Sequence, residues 1–462
     1  MAVETPAVFH VSRIGLASVV CALLLQNGEG LDNGLALTPM MGWNSWYAGG
    51  QVMNETALMH QADLLVGAGL HEVGFRYFNL DDGVIAPRCA SYKIPCNRSS
   101  TPARPRAQAE DATRLRHPPA PTGGRLPNGS LWADPFRFSN GSLGALSAHV
   151  HDRKLLFGVY TARGRATCEG LAGSLDTAWE DARRFVKDWN ADYVKEDSCH
   201  GVPADPPGSP PGTAAIAQYR NMSEALNATG KHVVLDACWY TCYPANKCPG
   251  TVPLQMDNRV KVANSWRVGM DGSSFGRAIL NVNIGVRLSK WAGPGHWNNL
   301  GLIAFTKQTP AQNLVQFSLY SILASPLILS GDLNALRPAD LQTFSNTAAV
   351  AVSQDPLGMQ GQTLTGFPLC GDGSPNCTHT GVIGKRLAGQ GSFALLAVNV
   401  GPRAANISCN SACLDQLGVR SGDFSVHDVW TNATSTVRAS TGWTAINVKP
   451  TGVSMVVLRP QI

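Results

Sequence analysis

Charge is scarce in this chain of 462 residues: 15% are Asp, Glu, Lys or Arg, and the formal net charge is only +5. No block of Lys and Arg stands out, so the electrostatic footprint expected of a nucleic-acid binder is missing. No apolar run is long enough to span a bilayer. No Cys-x-x-Cys occurs, and no His accompanies the close cysteine pairs at a ligand-like spacing, which weighs against a structural metal. His200 beside Cys199 and His296 before Trp297 read instead as hydrogen-bonded loop residues, with His296 placed to line a pocket. Neither a metal nor an organic cofactor is implied.

What the chain does have is apolar bulk. Hydrophobic residues make up 44%, enough for a large core and two domains. Arg13 begins a basic-then-apolar stretch ending near Gln26, and residues 1–29 are expected to be a secretory signal peptide, with a short anchor as the alternative. Sequons at Asn54, Asn97, Asn128, Asn140, Asn221, Asn227, Asn376, Asn406 and Asn432 suit an exported, glycosylated chain. Its destination would be extracellular, vacuolar or lysosomal. Of twelve cysteines, Cys21 lies in the signal, and close spacing pairs Cys89 with Cys96, Cys370 with Cys377 and Cys409 with Cys413 as disulfides. The odd number left after Cys21 places an unpaired thiol among Cys238, Cys242 and Cys248.

From residue 32 to 358 one theme repeats: a short apolar run ending in a polar or aromatic residue, then a helix-like segment. Strands are expected at Met40–Trp46, Arg76–Asp82, Leu155–Tyr160, Tyr193–Asp197, His232–Cys238, Val260–Trp266, near Trp297, and at Pro326–Asp332. Between the third and fourth, Ala178, Ala182, Phe185, Val186 and Trp189 share one helical face, with Ser174 as the expected N-cap. Further helices are expected at Ala57–Leu70, Leu143–Arg153, Thr213–Leu226 and Ala311–Leu323. Eight strands alternating with helices predict a (β/α)8 TIM barrel, an α/β fold whose active site lies at the carboxyl ends of the strands. A Pro-rich insertion near 98–124 and the loop Pro203–Gly212 interrupt the alternation. Residues 360–462 change to short β-like runs, at Gly381–Ile383, Phe393–Val398, Phe424–Asp428, Ala445–Val448 and Ser454–Leu458, which predict a small C-terminal antiparallel β-sandwich.

The fourth run drives straight into charge. Strand alternation puts Tyr193, Lys195 and Asp197 on one face and Val194 and Glu196 on the other. Charges at the end of a buried strand need pairing or a task, so a plain buried ion pair is one reading and a catalytic group the other. Asp271, after the sixth strand, is either a surface turn residue or a second carboxylate across the barrel mouth. Two such carboxylates suit glycoside hydrolysis, one attacking the anomeric carbon and the other protonating the leaving oxygen. Lys195 on the same face should lower the pKa of Asp197.

Leu37-Thr-Pro-Met-Met-Gly-Trp-Asn-Ser-Trp46, Tyr77-Phe-Asn-Leu-Asp-Asp82, Tyr193-Val-Lys-Glu-Asp-Ser-Cys199 and Asn264-Ser-Trp-Arg267 with Asp271 resemble the family 27 glycoside hydrolases. These are the α-galactosidases and α-N-acetylgalactosaminidases. Ala292-Gly-Pro-Gly-His-Trp-Asn298, Ala324-Ser-Pro-Leu-Ile-Leu329 and Val352-Ser-Gln-Asp-Pro-Leu-Gly358 extend the resemblance from about residue 36 to 360. It implies a retaining double displacement on terminal α-D-galactosyl groups, with Asp197 as nucleophile and Asp271 as acid/base. It also implies that Asp81, Asp82 and Lys195 hold sugar hydroxyls, that Trp46 stacks on the ring and Arg267 assists, and that Cys168 pairs with Cys199. A galactosyl carbohydrate is the implied partner, and a homodimer is compatible with the resemblance.

Three departures bear on the substrate. Gly83 stands where the family usually has a disulfide-forming Cys. Asp236-Ala-Cys-Trp-Tyr240 lacks the Glu that reads the 2-hydroxyl in galactosidases, and Ala237 would leave room at the 2-position. The seventh-strand Trp-Asn-Asp-Pro-Asp-Met becomes Trp297-Asn-Asn-Leu-Gly-Leu302, losing both carboxylates. An α-N-acetylgalactosaminidase, a β-L-arabinopyranosidase and a non-hydrolytic galactose-binding protein are therefore the alternatives.

Overall fold

The computed structural model describes residues 33–86, 124–201, 209, 212–238, 256–257, 261–372, 374 and 376–461. The short apolar runs become β1 Met41–Asn44, β2 Tyr77–Asn79, β3 Leu156–Ala162, β4 Tyr193–Asp197, β5 Val234–Cys238, β6 Ser265–Arg267, β7 Trp297–Asn299, β8 Ile303–Ala304 and β9 Leu327–Ser330. All pair in parallel, in the order β7-β6-β5-β4-β3-β2-β1-β9-β8. The two ends of this order are consecutive in the chain: β7 ladders to β6, β8 to β9, and only Leu300, Gly301 and Leu302 lie between them. The ring therefore closes through the chain itself. This is the expected TIM barrel with its seventh strand broken in two.

Around it lie α1 Glu55–Gly67, α2 Gly144–Asp152, α3 Ala178–Arg183, α4 Thr213–Ala228, α5 Phe275–Gly285, α6 Pro310–Ile322, α7 Pro338–Phe344 and α8 Thr347–Ser353. The start of α6 is strongly specified: Thr309 and Gln312 form a capping box and Pro310 occupies the first turn. The start of α3 differs from expectation. Ser174 is not its cap, because the Ser174 hydroxyl is paired with Thr161 on β3 at 2.6 Å, and the helix begins only after Thr177. Strand residues facing the helices, such as Phe78, Phe157, Val194 and Trp266, are fully buried in the main core. Tyr193, Val234, Trp297 and Ile328 form a separate cluster. Each such aliphatic side chain is worth roughly 1.5–3 kcal/mol on burial.

The C-terminal unit contains β10 Gln362–Thr365, β11 Thr380–Arg386, β12 Phe393–Asn399, β13 Ala405–Cys409, β14 Asp423–Asp428, β15 Thr434–Arg438, β16 Trp443–Val448 and β17 Gly452–Pro460. An antiparallel sheet ordered β10-β11-β12-β17-β14-β15 faces the pair β13-β16, the expected β-sandwich. It packs on the barrel through Trp430 against Phe317 at 6.5 Å, and Asn346 donates from its side chain to the Val429 carbonyl at 3.0 Å. Cys370–Cys377 and Cys409–Cys413 are disulfides, and Cys238 is a buried free thiol. Residues 1–29, Cys89, Cys96, Cys242, Cys248 and the insertion up to residue 123 fall outside the described residues, as does most of Pro203–Gly212. Among the described residues no helix is long and apolar enough to cross a membrane.

One sandwich residue breaks the burial rules. Lys385 on β11 is 2% exposed, and its ammonium has no hydrogen-bond partner among the described residues. Burial pulls its pKa from the ordinary 10.5 down to about 8, with the Asp355 charge opposing. Below that pH the lysine is charged both folded and unfolded, so the folded state bears the full cost, roughly 3 kcal/mol. Above the unfolded pKa the cost is gone. Lys385→Met should therefore raise the urea unfolding free energy by about 2–3 kcal/mol near neutral pH, with the gain shrinking towards pH 10. An unchanged midpoint would contradict this.

Candidate active site

The carboxyl ends of the strands form one rim, and the residues assigned catalytic or sugar-holding roles sit on it, whereas His296, expected to line a pocket, precedes β7 at the opposite, amino end of the barrel. Trp46 opens the turn after β1, Asp81 and Asp82 follow β2, Lys195 and Asp197 end β4, Arg267 ends β6, and Asp271 lies in the segment after it. Lys195 and Asp81, far apart in sequence, form an ion pair of 2.7 Å with both side chains under 10% exposed. Asp81 is fixed further by the Asn44 side-chain amide at 2.8 Å and by its own N–H donating to the Ser45 hydroxyl at 2.9 Å. Burial pulls the Lys195 ammonium down, but Asp81, Asp271 and Asp197 outweigh it and hold it well above the usual lysine range.

Asp197 lies against β3. The Tyr160 hydroxyl donates to its Oδ2 at 3.0 Å, and the Ser198 N–H donates to its Oδ1 at 2.7 Å. The Cys168–Cys199 disulfide is formed beside it, and Tyr160 also reaches Cys168 Sγ at 3.2 Å. Cys168, Cys199 and Asp197 are the one group of metal-ligating atoms that converges among the described residues, and two of its three atoms are sulfurs of that disulfide. Lys195 and the Ser198 N–H do pull the Asp197 pKa down, as anticipated, but burial is the larger effect and Asp271 adds to it, so the carboxyl ends above its ordinary value. The expectation that Lys195 sets the net direction is thus corrected by desolvation. Its nearest anionic partner is Asp81.

Arg267, 2% exposed, pairs with the more accessible Asp271 at 2.6 Å. Tyr47, Gly301, Leu302 and Tyr320 are among the residues gathered around this pair. Asp82 is held differently from Asp81: it accepts the Glu169 N–H and the Gly83 N–H, each at 2.8 Å. Burial nevertheless pushes its pKa up to about 7. Trp46 is half-buried at the rim.

Glu196 faces away from the barrel interior, as alternation requires. It is 1% exposed, and burial drives its carboxyl well above the usual range, with Arg163 opposing and Asp181 reinforcing. The in-register pairing of Glu196 with Ala237 puts Ala237 on that outward face too. Ala237 therefore does not make room beside a sugar, contrary to expectation. Cys238, paired with Asp197, takes the inner position.

Two contributors have no role assigned from the sequence. Tyr160 is legible there among the polar and aromatic residues at the strand ends, without its bond to Asp197. Asp236 accepts the Tyr193 hydroxyl at 2.7 Å, the Ser265 hydroxyl at 2.5 Å and the Asn299 amide at 3.0 Å.

A barrel rim of paired acids and bases carried beside a β-sandwich defines a class, the carbohydrate hydrolases of TIM-barrel type. Comparison with known proteins sharpens it. Residues 122–355 match the family model described as alpha galactosidase A, and 380–458 match the alpha galactosidase C-terminal beta sandwich domain. A probable alpha-galactosidase of Dictyostelium discoideum is 29% identical over 76% of this chain and 77% of its own. An alpha-N-acetylgalactosaminidase of Gallus gallus is 30% identical over 72% and 74%. The solved alpha-galactosidase of Saccharomyces cerevisiae superposes with a TM-score of 0.73 at 22% identity, covering 93% of this chain and 99% of that one. The chain belongs to the α-galactosidase family, glycoside hydrolase family 27, and is a glycoside hydrolase.

The raised carboxyls give the fold a pH dependence of definite sign. Above its folded pKa near 7, Asp82 is ionised both folded and unfolded and its full desolvation cost is present. Below about pH 4 it is protonated in both states and the cost has gone. Glu196 and Asp197 act in the same direction. Unfolding free energy should rise as pH falls from about 8 to about 5, with Asp82 alone contributing roughly 2 kcal/mol. Thermal melts across that range, repeated on Asp82→Asn, check it; a wild-type maximum at pH 8 would contradict it.

Proposed function

We propose that this hydrolase removes terminal α-D-galactosyl residues from oligosaccharides, glycolipids or glycoproteins by a retaining double displacement. The observation that carries the reading is the placement of Asp197, at the end of β4, and Asp271, in the segment after β6, on one rim. An ionised Asp197 attacks the anomeric carbon while Asp271 protonates the departing glycosidic oxygen. Water, deprotonated by Asp271, then cleaves the glycosyl–Asp197 ester and returns both carboxyls to their starting states. Tyr160 and the Ser198 N–H stabilise the Asp197 anion before attack and after release. Arg267 holds Asp271 on the rim. Asp81, Asp82 and Lys195 are suited to the sugar's hydroxyls and Trp46 to its apolar face.

A second reading is cleavage of terminal α-N-acetylgalactosamine. It is favoured by the missing Glu after β5, whose absence removes a partner for a free 2-hydroxyl, and by the likeness to the Gallus gallus relative. In either case the signal-like start and the sequons support export through the secretory pathway.

The test is initial rates at mildly acidic pH on aryl α-galactoside, aryl α-N-acetylgalactosaminide and aryl β-L-arabinopyranoside. The α-galactoside should be turned over fastest, and Asp197→Asn should reduce its turnover to background. Asp271→Asn should lower kcat/KM by about 10²–10⁴-fold on a poor leaving group and by less on an activated one. A folded wild-type chain silent on all three glycosides would sink the proposal, and a preference for the N-acetyl sugar would select the second reading.

A further inference from the structure

We propose that Arg137 is a positioning residue for the sugar-binding half of the rim, tying together two loops that in this chain have no covalent link at Gly83. The inference rests on the proposed glycosidase reading of the site.

Three observations carry it. First, one guanidinium spans both loops. Arg137 Nη1 donates to the Gly83 carbonyl at 2.5 Å, Nη2 to the Gly50 carbonyl at 2.7 Å, and Nε to the Met53 carbonyl at 2.8 Å. Gly50 and Met53 belong to the loop that begins with Trp46, and Gly83 directly follows Asp81 and Asp82. Second, the segment bearing Arg137 is docked on the second loop. Ala133 bridges Ile85, the Ala86 N–H donates to the Trp132 carbonyl at 2.9 Å, and the Asp134 N–H donates to the Val84 carbonyl at 2.9 Å. The guanidinium itself lies 5.2 Å over the Phe138 ring. Third, the two loops touch directly. Gly83 has a φ of +104°, and a Cβ added there would stand 2.9 Å from the Cα and 3.2 Å from the Cβ of Gln51, closer than the Cβ–Cβ spacing of about 3.5–4.5 Å in a disulfide, so the two backbones pack tightly where Gly83 has no side chain. This chain has Gly at 83 and Gln at 51, so the two loops approach without a covalent bond between them.

The chemistry suits the task. Backbone carbonyls at loop turns are acceptors that the loops' own N–H groups do not satisfy, and charge-assisted bonds to them are stronger than neutral ones. A planar fork with five donors can hold several carbonyls in a fixed relation, which a lysine ammonium on a flexible stem cannot. What the clamp fixes is the distance between Trp46, on one loop, and the Asp81–Asp82 pair, on the other. Arg137 touches neither substrate nor reacting atoms, so its effect should fall on sugar binding rather than on the bond-breaking step.

The experiment compares the full-length wild-type chain with Arg137→Lys and Arg137→Ala on whichever aryl glycoside the wild type cleaves. Amide hydrogen exchange is followed at 46–53, at 81–84 and in the C-terminal sandwich. Both variants should raise KM, about tenfold for Arg137→Ala, while kcat stays within about threefold of wild type. Exchange should accelerate in the two loops and stay unchanged in the sandwich. If Arg137→Ala does not fold, the milder lysine variant carries the same readout. Unchanged KM with unchanged loop exchange would overturn the clamp. So would a fall in kcat at constant KM, or faster exchange throughout the chain, since either would mean a different role. Absence of wild-type turnover would count against the glycosidase reading instead, and loop exchange would still decide on the clamp.

Discussion

The ion pair between Lys195 and Asp81 is the constraint on which the barrel mouth depends. Both side chains are nearly inaccessible, and neither charge would be stable there alone. Removing one partner of such a pair leaves an uncompensated buried charge, at a cost of about 3–5 kcal/mol. β4 and the loop after β2 are therefore locked in register by electrostatics, with Asn44 and Ser45 of the first strand's end drawn in as hydrogen-bond partners. Asp197, on the same face as Lys195, inherits its position from that lock. Its charge is governed by the same trade, since burial raises its pKa and Lys195 lowers it.

A second polar layer lies along the inner face of β4, β5, β6 and β7. There Asp236 gathers donors from Tyr193 of β4, Ser265 of β6 and Asn299 of β7. The same Asn299 accepts the Gly301 N–H at 2.9 Å, at the break between β7 and β8, where a Cβ added at Gly301 would stand 3.0 Å from the Arg267 guanidinium. A run of contacts thus joins the barrel interior to the Arg267–Asp271 pair.

Much of this was legible before any coordinates. Tyr193–Asp197 was delimited to the residue because its apolar start and charged end are both abrupt. The barrel followed from eight such runs alternating with helical faces, and the rim positions of Lys195, Asp197 and Asp271 followed from where those runs stop. What was missed has physical reasons. Ser174 has the composition of a cap, but a tertiary hydroxyl partner took it, which a local pattern cannot foresee. Strands β10, β13 and β15 expose many of their side chains, so they lack the apolar signature that marked β12 and β17. The motif points Ala237 towards the pocket, yet the two-residue period of β5 turns it outward. Arg137 gave no signal at all, because three carbonyl acceptors leave no trace in the identity of the residues that carry them.

The central claim is that Asp197 forms a covalent bond to the sugar. The most direct measurement is trapping with a fluorinated galactoside that carries a good leaving group and whose glycosyl–enzyme ester turns over slowly. Peptide mass spectrometry then locates the adduct. One glycosyl group on the peptide containing Asp197, absent from Asp197→Asn and released on prolonged incubation, is the result this account predicts. Turnover of the natural anomer with no adduct, or an adduct on Asp271 or another carboxylate, would contradict it.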